Sequence, residues 1–537
     1  MRNDRGNSDI VEAGFADGGQ WAEIIAVNIA ERFRDRVDRL IAALVDPIRR
    51  ERAVLAVLAC YVVLWTLYAA FAKGGQDIHF DMGEVVAMSR EPLLGTPKHP
   101  PLDAWLVRIW FAVFPLTDWA YYLLAMVSAT VGLWAIWKLA ADYLDAEKRV
   151  AGLALMMLVP FFNFHALKYN ANTVQIPFWA LTTWWFLRSY ETRSLTYAAL
   201  AGVGAAGAMY GKYWSIFLLL GLGLAAVADP RRRRYFASAA PWVTVAAGAL
   251  AFAPHVFWLI ANDFPPLKYS VGSHAVASQW QVLRDVVQFV AGAFAYVAAP
   301  IVLVLIAAWP GPAAIADTVW PREPARRTTV VAFILPIVLP VAAAFATQSQ
   351  IVSLWAMSAM ALLPVVLLSS PRISLSHAAV VRIVGLAVVF PIAMTVASPA
   401  IGYLLFRYSP PERATHFRPL AAEIAKAWRQ TSPKPLRHIG SDTNFVNGVV
   451  FYLPGWPSTY DIEQPDQTPW TTPADIDRDG IALFCQAMDA RCNTAIDKLT
   501  ASGHRVARIV DTMLSRTYLG YRDPAKRYRI VIVPPRG

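Results

Sequence analysis

The sequence predicts an α-helical polytopic membrane protein with about eleven transmembrane helices and a small C-terminal α/β domain. Three observations lead to this fold class. The chain is 56% hydrophobic and only 16% charged, whereas soluble domains are about a quarter charged. Long apolar runs recur from about residue 53 to about residue 404, and beyond it they vanish while charged residues and proline become more frequent. The 20 Trp and 20 Tyr residues suit a protein with wide lipid–water interfaces.

The N-terminal segment, residues 1–50, is charged and rich in arginine. Over 20–50 the apolar and basic residues follow a helical period, which predicts an amphipathic helix on the cytoplasmic face of the membrane. We expect no cleavable signal peptide, because the first apolar run is too long and no small-residue cleavage site follows it.

The predicted transmembrane region covers residues 51–404. The apolar runs long enough to cross a bilayer are 53–72, 118–139, 151–167, 173–188, 195–210, 213–228, 240–260, 284–308, 329–346, 353–369 and 379–403. Basic residues gather in alternate short loops, as Arg231 to Arg234 do. Such loops stay in the cytoplasm, so we expect the N-terminus there and residues 405–537 in the periplasm. The net charge of +11 therefore reflects membrane topology and not a nucleic-acid partner.

The first outer loop, residues 73–117, is too long for a simple connection. It contains two predicted helices, Met82–Leu94 and Leu102–Phe114, separated by a proline-rich turn. The second helix carries several aromatic residues, including Trp105 and Trp110, which favour the membrane interface. We therefore predict that both helices lie on the surface of the membrane and do not cross it.

Residues 405–537 are predicted to form the periplasmic α/β domain. Its expected elements are helices Pro419–Arg429 and Ile476–Ala490 and strands Val449–Leu453 and Tyr528–Val533. Cys485 and Cys492 lie in this domain, and a periplasmic location leaves both a disulfide and free thiols open. The aromatic segment from Tyr452 to Tyr460 allows two interpretations, stacking on a sugar ring or packing within its own domain.

Polar residues gather in several outer loops, and this convergence at a membrane interface predicts a functional site. Lys212 is the most informative of them, because it lies between two short apolar runs without an acidic neighbour in sequence. A lysine there needs a counter-charge, which a lipid-linked phosphate would supply. Gly202 to Gly207 imitates a dinucleotide motif, but it lies within an apolar run and suits helix packing better. Asp475 to Gly480 starts like a calcium loop but lacks the downstream glutamate.

At this point the residues resemble a known family. The stretches Phe80-Asp81-Met82-Gly83-Glu84 and Lys98-His99-Pro100-Pro101 resemble the first outer loop of the GT-C superfamily of glycosyltransferases. They are most similar to its protein mannosyltransferase-like branch, which includes the lipid A aminoarabinose transferases and the rhizobial lipid A/core galacturonosyltransferases. Asn170-Ala171-Asn172 and Gly211-Lys212 match later positions, although relatives often carry Asp at Asn172 and two adjacent acidic residues at Asp81.

The resemblance implies an inverting glycosyltransferase of the bacterial inner membrane. The donor would be a sugar on a polyprenyl phosphate, and the acceptor lipid A, lipopolysaccharide, another glycolipid or a protein at the periplasmic face. Asp81 matches the catalytic acidic position, where it would deprotonate or orient the acceptor, and Glu84 lies one turn later on the same helix face. The residues expected to bind the donor phosphate are Lys212, Lys98, Lys168 and Lys268. The residues expected in the substrate pocket are His99, Asn172, Tyr169, Tyr210 and Tyr269.

No cofactor is required by this reaction, but a divalent metal near Asp81 stays open, with His79, His99 and Glu84 as further ligands. The histidines could equally serve only as hydrogen-bonding groups of the loop. A second function class is also open, a transporter or flippase of a lipid-linked sugar. Transporters usually contain repeated halves and ionisable groups near the bilayer midplane, and neither is apparent in this sequence. A membrane scaffold with a sensing tail would account for the tail but not for Lys212 and Asp81.

Overall fold

A computed structural model describes residues 8–91, 93–410, 414–501 and 506–536. Its α-helices are α1 Ser8–Val45, α2 Arg50–Ala72, α3 Phe80–Ser89, α4 Leu102–Phe111, α5 Asp118–Ala140, α6 Ala146–Met157, α7 Ala171–Thr192, α8 Leu195–Gly211, α9 Ile216–Ala228, α10 Arg232–Phe236, α11 Ala240–Ala261, α12 Pro265–His274, α13 Gln279–Ala308, α14 Pro312–Val319, α15 Pro324–Thr347, α16 Leu363–Leu368, α17 His377–Arg407, α18 Phe417–Arg429, α19 Thr443–Val450, α20 Pro473–Asp479 and α21 Ala490–Ala501. Short 3₁₀ segments occur at Pro160–Phe162, Tyr213–Ser215, Ser353–Leu362 and Pro465–Gln467.

The apolar runs predicted from the sequence all contain helical structure. In the described chain, six helices are long and apolar enough to cross a membrane: α2, α5, α11, α13, α15 and α17. Two shorter apolar stretches, Tyr213–Ala228 and Ser353–Leu368, lie between them. The protein is therefore a multi-pass membrane protein, and the figure of eleven crossings stays a prediction.

Close helix packing holds the first half of the bundle together. Helix α7 packs against α5 and α8, and α8 packs against α11. At Gly202 a side chain would be impossible, because an added Cβ would lie 2.3 Å from the Thr244 carbonyl oxygen on α11. The glycines around Gly202 therefore serve helix packing, as the sequence predicts, and not nucleotide binding.

Basic loops meet at one end of the bundle. Lys138 pairs with Glu51 at 2.7 Å, and Arg188 pairs with Asp142. Helix α1 packs against α2, α6 and α17 at this same end, so the predicted N-terminal helix exists. The side chains before Val27 lie outside the described residues, and the membrane-surface position of α1 stays a prediction.

The C-terminal region carries the predicted α/β structure. Its strands are β1 His438–Ser441, β2 Ser458–Asp461, β3 Ile481–Gln486, β4 Arg508–Leu514, β5 Thr517–Tyr518, β6 Tyr521–Arg522 and β7 Lys526–Val533. Five of them form one sheet in the order β2-β1-β3-β7-β4. Strand β1 runs parallel to β2 and β3, whereas β7 runs antiparallel to β3 and β4.

Two element predictions for this region are wrong. The expected strand Val449–Leu453 is the end of helix α19 and a turn, because Asp442 caps that helix through the Asn444 and Phe445 N–H groups. The expected helix Ile476–Ala490 is interrupted at Gly480, which has a φ of +74°. Beyond this glycine the chain enters β3, a buried strand between β1 and β7.

Cys485 and Cys492 form a disulfide that links β3 to α21, with a Cα–Cα distance of 5.9 Å. Both cysteines are fully buried in the small core of this region. Of the two alternatives that the sequence leaves open, the structure therefore has the bonded form.

Candidate active site

Helix α3 is enclosed by the C-terminal region. Gly83 lies so close to α19 that an added Cβ would be 2.0 Å from the Asn447 carbonyl oxygen. The Trp456 indole donates a hydrogen bond of 3.1 Å to the Val86 carbonyl oxygen. Residues from Met82 to Ser89 are therefore largely buried beneath the C-terminal region, and the position of α3 at the membrane surface stays a prediction.

The aromatic segment from Tyr452 to Tyr460 contributes to this enclosure. The Tyr452 hydroxyl accepts a 2.9 Å hydrogen bond from the Ile78 N–H, and the Ser458 hydroxyl donates one of 2.9 Å to Glu91. The segment neither faces open solvent for sugar stacking nor packs only within its own domain. It holds the C-terminal region against the first outer loop.

A buried carboxylate anchors the same contact. Asp77 accepts hydrogen bonds from the Phe417 N–H at 2.8 Å and the Thr415 hydroxyl at 3.1 Å. Its other oxygen lies 3.2 Å from the Arg516 guanidinium, and the Asp77 side chain is fully buried. Asp77 therefore joins the start of α18 and a residue after β4 to the loop that precedes α3.

Replacing Asp77 with Ala is expected to weaken this attachment by about 3 kcal/mol, because Arg516 then remains buried without its partner. Thermal unfolding and limited proteolysis of the purified protein measure the effect. The matched control is Asp466→Ala, which removes an exposed carboxylate and should leave both readouts unchanged. Equal protease resistance of the Asp77 variant and the wild type would contradict the anchoring role.

Asp81 lies in the first turn of α3, where the helix dipole favours a negative charge. Its carboxylate is 2.7 Å from the Lys168 ammonium and accepts a 3.2 Å hydrogen bond from the Asn170 amide. Burial opposes ionisation, but the Lys168 ammonium, together with the hydrogen bond from Asn170, outweighs it and holds the pKa of Asp81 below its usual value. Asp81 is therefore a carboxylate at neutral pH.

His79 caps this helix. Its Nδ1 accepts the Asp81 N–H at 3.2 Å, and burial lowers the pKa of His79 to about 4. A neutral imidazole is consistent with the acceptor role of Nδ1. At neutral pH His79 therefore orients α3 without adding a charge beside Asp81.

Glu84 and Lys98 form a closed ion pair one helical turn from Asp81. The Lys98 ammonium lies 2.9 and 3.0 Å from the two Glu84 oxygens and 5.8 Å from the centre of the Tyr269 ring. Burial works to lower the pKa of Lys98, but Glu84 more than offsets it and the pKa lies above its usual value. This pair brings no net charge to the site.

Lys212 is different, because no carboxylate contacts it among the described residues. Its ammonium donates a 2.8 Å hydrogen bond to the Asn172 side-chain oxygen and lies 4.6 Å from the centre of the Trp355 ring. The residue joins α8 to the following 3₁₀ segment. Burial, together with the Lys98 and Lys168 ammonium groups, lowers the pKa of Lys212 to about 7. A cation held in this way can be stabilised by an anionic ligand.

The structure brings most of the predicted site residues to one end of the bundle. His99 belongs to the cluster, since the charges of Lys98, Lys212 and Asp81 all act on it, and burial lowers its pKa. The members of this cluster are His79, Asp81, Glu84, Lys98, His99, Lys168, Asn170, Asn172, Lys212 and Tyr269.

Three other predicted residues make contacts outside this set of side chains. Lys268 is 68% exposed and pairs with Asp263, itself 85% exposed, on the loop before α12. Tyr169 is completely buried, with its ring 5.8 Å from that of Tyr121. Tyr210 packs against Trp105 at a ring distance of 5.2 Å. In the structure Lys268 is thus engaged by a carboxylate, and the two tyrosines pack against other aromatic rings.

The sequence leaves open a divalent metal near Asp81, but the described residues contain no arrangement of side chains that would bind one. There, no group of three His, Cys, Asp or Glu side chains is placed to bind a metal ion. Glu84, a ligand candidate from the sequence, is engaged by Lys98. Metal dependence stays a matter for measurement.

Sequence reasoning missed two contributions to this site. Trp355 contacts Lys212 from the start of a predicted membrane span, where an aromatic residue gave no functional signal. Asn447 and its neighbours approach α3 from the C-terminal region, and no motif or spacing connects them to the first outer loop.

The fold and the sequence of the matched segment place the chain in a class of membrane enzymes. Residues 98–258 match the sequence model of the family described as dolichyl-phosphate-mannose-protein mannosyltransferase. This segment contains Lys98, Lys168 and Lys212. The predicted class, a GT-C superfamily glycosyltransferase, is confirmed by the family match together with the fold.

Two solved structures share the fold of this chain. The structure of ArnT from Cupriavidus metallidurans bound to undecaprenyl phosphate is 13% identical, with a TM-score of 0.61, over 89% of this chain and 97% of ArnT. The same protein in the apo state is 12% identical, with a TM-score of 0.58 over the same shares. At such identities the likeness establishes the fold. None of the curated proteins matches the chain in sequence.

Proposed function

We propose that the protein transfers a sugar from a polyprenyl phosphate to an acceptor hydroxyl at the periplasmic face of the inner membrane. One observation carries the proposal: an ionised Asp81 lies in the same cluster as Lys212, which no carboxylate of the described residues contacts. A transferase of this kind needs a base for the acceptor and a cation for the departing phosphate. The two residues supply one each.

The reaction is a single displacement with inversion at the anomeric carbon. The acceptor oxygen forms a bond to that carbon while its proton moves to the Asp81 carboxylate. The bond from the carbon to the phosphate oxygen breaks, and its electron pair leaves with the polyprenyl phosphate. Lys212 stabilises the growing negative charge on that phosphate. Lys168, which pairs with Asp81 at 2.7 Å before substrate binds, is a second cation close to the leaving group.

The donor class is supported by two relatives. One solved structure of the same fold is a complex of ArnT with undecaprenyl phosphate. The matching family is named for a sugar carried on dolichyl phosphate. Both carriers are polyprenyl phosphates, and an ammonium group such as that of Lys212 is suited to their single phosphate group.

The periplasmic location has two supports. The cluster lies at the end of the bundle opposite the basic loops, which remain in the cytoplasm by the positive-inside rule. The disulfide between Cys485 and Cys492 persists in an oxidising compartment such as the periplasm. With the N-terminus in the cytoplasm, the C-terminal region and Asp81 both face the periplasm.

A strain that lacks this protein tests the proposal. Its outer-membrane glycolipids should lose one sugar-sized mass in mass spectrometry, and the wild-type gene should restore that mass. An unchanged glycolipid profile, together with unchanged masses of periplasmic glycoproteins, would contradict the proposed transfer.

The pH dependence of the reaction should follow Lys212. Its pKa of about 7 means that the unliganded enzyme loses this cation as the pH rises above 7, so kcat/KM for the donor should fall about tenfold per pH unit there. Arginine keeps its charge to about pH 12, so Lys212→Arg should move this alkaline decline upward by at least about two units. An alkaline limb at the same pH in the variant would assign the decline to another group.

A further inference from the structure

A cavity of about 350 Å³ lies between α3, α12 and the C-terminal region. Glu84, Lys98 and Tyr269 line it on the membrane side. Asn447 and Gln467 line it on the C-terminal side. Its volume falls within the range of small-molecule sites.

The charged groups around this cavity already have partners within the protein. Glu84 and Lys98 form the closed ion pair of the cluster. The Asp461 carboxylate accepts hydrogen bonds from the Thr443 hydroxyl and from the Gln464 N–H at 2.9 Å. Because Glu84 neutralises Lys98, an anionic ligand would find no unpaired cation among the described lining residues.

Three side-chain amides of the lining, by contrast, make no hydrogen bond within the described residues. Asn447 is only 6% exposed, lines the cavity and has no hydrogen bond from its side-chain amide within the described chain. Asn444 and Gln467 also line the cavity, and their amides make no hydrogen bond within the described residues. Amides that line a cavity without a hydrogen bond to the protein are available to pair with a bound molecule.

The cavity also adjoins the reacting groups. Glu84 lies one turn after Asp81 on α3, and α19, which carries Asn447, contacts that helix at Gly83. Amides pair with hydroxyl groups as donor and acceptor at once, and the nearby rings of Tyr269 and Trp470 offer apolar faces. Such a lining suits a neutral sugar and lacks what a phosphate needs.

We propose that this cavity binds a neutral sugar of the acceptor and directs one of its hydroxyl groups toward Asp81. The proposal rests on the proposed function and specifies its acceptor, a glycan hydroxyl rather than a phosphate group. The C-terminal region then has a role in choosing the acceptor as well as in holding α3.

The test uses the full-length protein in lipid nanodiscs with its polyprenyl-phosphate-linked sugar donor. The acceptor is glycolipid extracted from the deletion strain, either untreated, treated with phosphatase or oxidised with periodate, which destroys vicinal diols. We expect transfer to the untreated and phosphatase-treated extracts and none to the oxidised extract. Loss of transfer after phosphatase treatment, or its persistence after periodate oxidation, would overturn the inference.

Two variants of the cavity and one control sharpen the result. Asn447→Leu and Gln467→Leu should each raise the KM for the acceptor about fivefold through the loss of one hydrogen bond, while the KM for the donor stays constant. Gln430→Leu alters an exposed glutamine of the same region outside the cavity and should change neither constant. An unchanged acceptor KM in Gln467→Leu overturns the inference even if Asn447→Leu does not fold.

The outcomes separate the inference from the proposed function. An untreated extract that accepts no sugar, from an enzyme that still binds the donor, overturns the inference alone. An enzyme that neither binds the donor nor transfers its sugar overturns the proposed function as well.

Discussion

Asp81→Asn is expected to lower kcat for sugar transfer by about 10²- to 10⁴-fold, the usual contribution of a general base. The amide has nearly the same shape as the carboxylate, but it cannot take the acceptor proton. The substitution also frees the Lys168 ammonium, which lies 2.7 Å from Asp81 in the wild type. The donor carries a negative phosphate, so its KM should stay constant or fall while kcat collapses.

The matched control for this variant is Asp263→Asn, which changes an 85% exposed aspartate on another outer loop. Steady-state kinetics of both purified variants, with protein amounts checked, measure the difference. Asp81 would not be the base if its variant kept more than about a tenth of the wild-type kcat.

Lys212→Met should produce the second-largest loss, about 10²- to 10³-fold in kcat, because a cation aimed at developing charge contributes on this scale. Methionine retains an unbranched apolar chain against the Trp355 ring but removes the ammonium group. The hydrogen bond to Asn172 is lost with it. The effect should appear in release of the phosphate rather than in the stability of the protein.

Lys268→Met serves as the control, because the sequence offers both lysines as phosphate ligands and the structure separates them. Lys268 is exposed and pairs with Asp263, so its loss should leave kcat nearly unchanged. Transfer assays on the two variants compare them directly. Equal losses in both would contradict the assignment of the leaving-group cation to Lys212.

The positions of the membrane helices follow from the sequence because the bilayer demands a long apolar run for each crossing. The burial of α3 could not be predicted, since the helix that covers it, α19, lies far along the chain. In α19 itself, Val449 and Val450 favour a strand by propensity. The segment is nevertheless helical, because Asp442 caps the helix and its apolar side chains are buried.

The candidate site was likewise only partly predictable from the sequence. Lys212 was identifiable from its local sequence, because an isolated lysine between apolar runs needs an explanation. The pairing of Lys168 with Asp81 depends on the approach of two outer loops, and no local pattern encodes it. The separation of Lys268 from the cluster and the cavity wall at Asn447 also arise only from tertiary structure.

Because the C-terminal region encloses α3, its attachment should also affect catalysis. Asp77 and Trp456 attach that region on either side of the helix that carries Asp81. A loosened attachment would therefore move the base as well as the cavity. The Asp77→Ala variant should for this reason lose activity together with protease resistance.

Release of polyprenyl phosphate from a polyprenyl-phosphate-linked sugar is the measurement that tests the central claim most directly. The protein is reconstituted in nanodiscs with the donor and the glycolipid extract of the deletion strain, and both products are quantified by mass spectrometry. We predict one molecule of polyprenyl phosphate released for each molecule of glycosylated acceptor, with both formed at least about a hundredfold more slowly by Asp81→Asn. An intact donor after incubation with wild-type protein, or its movement across proteoliposomes without cleavage, would contradict a transferase and support a flippase.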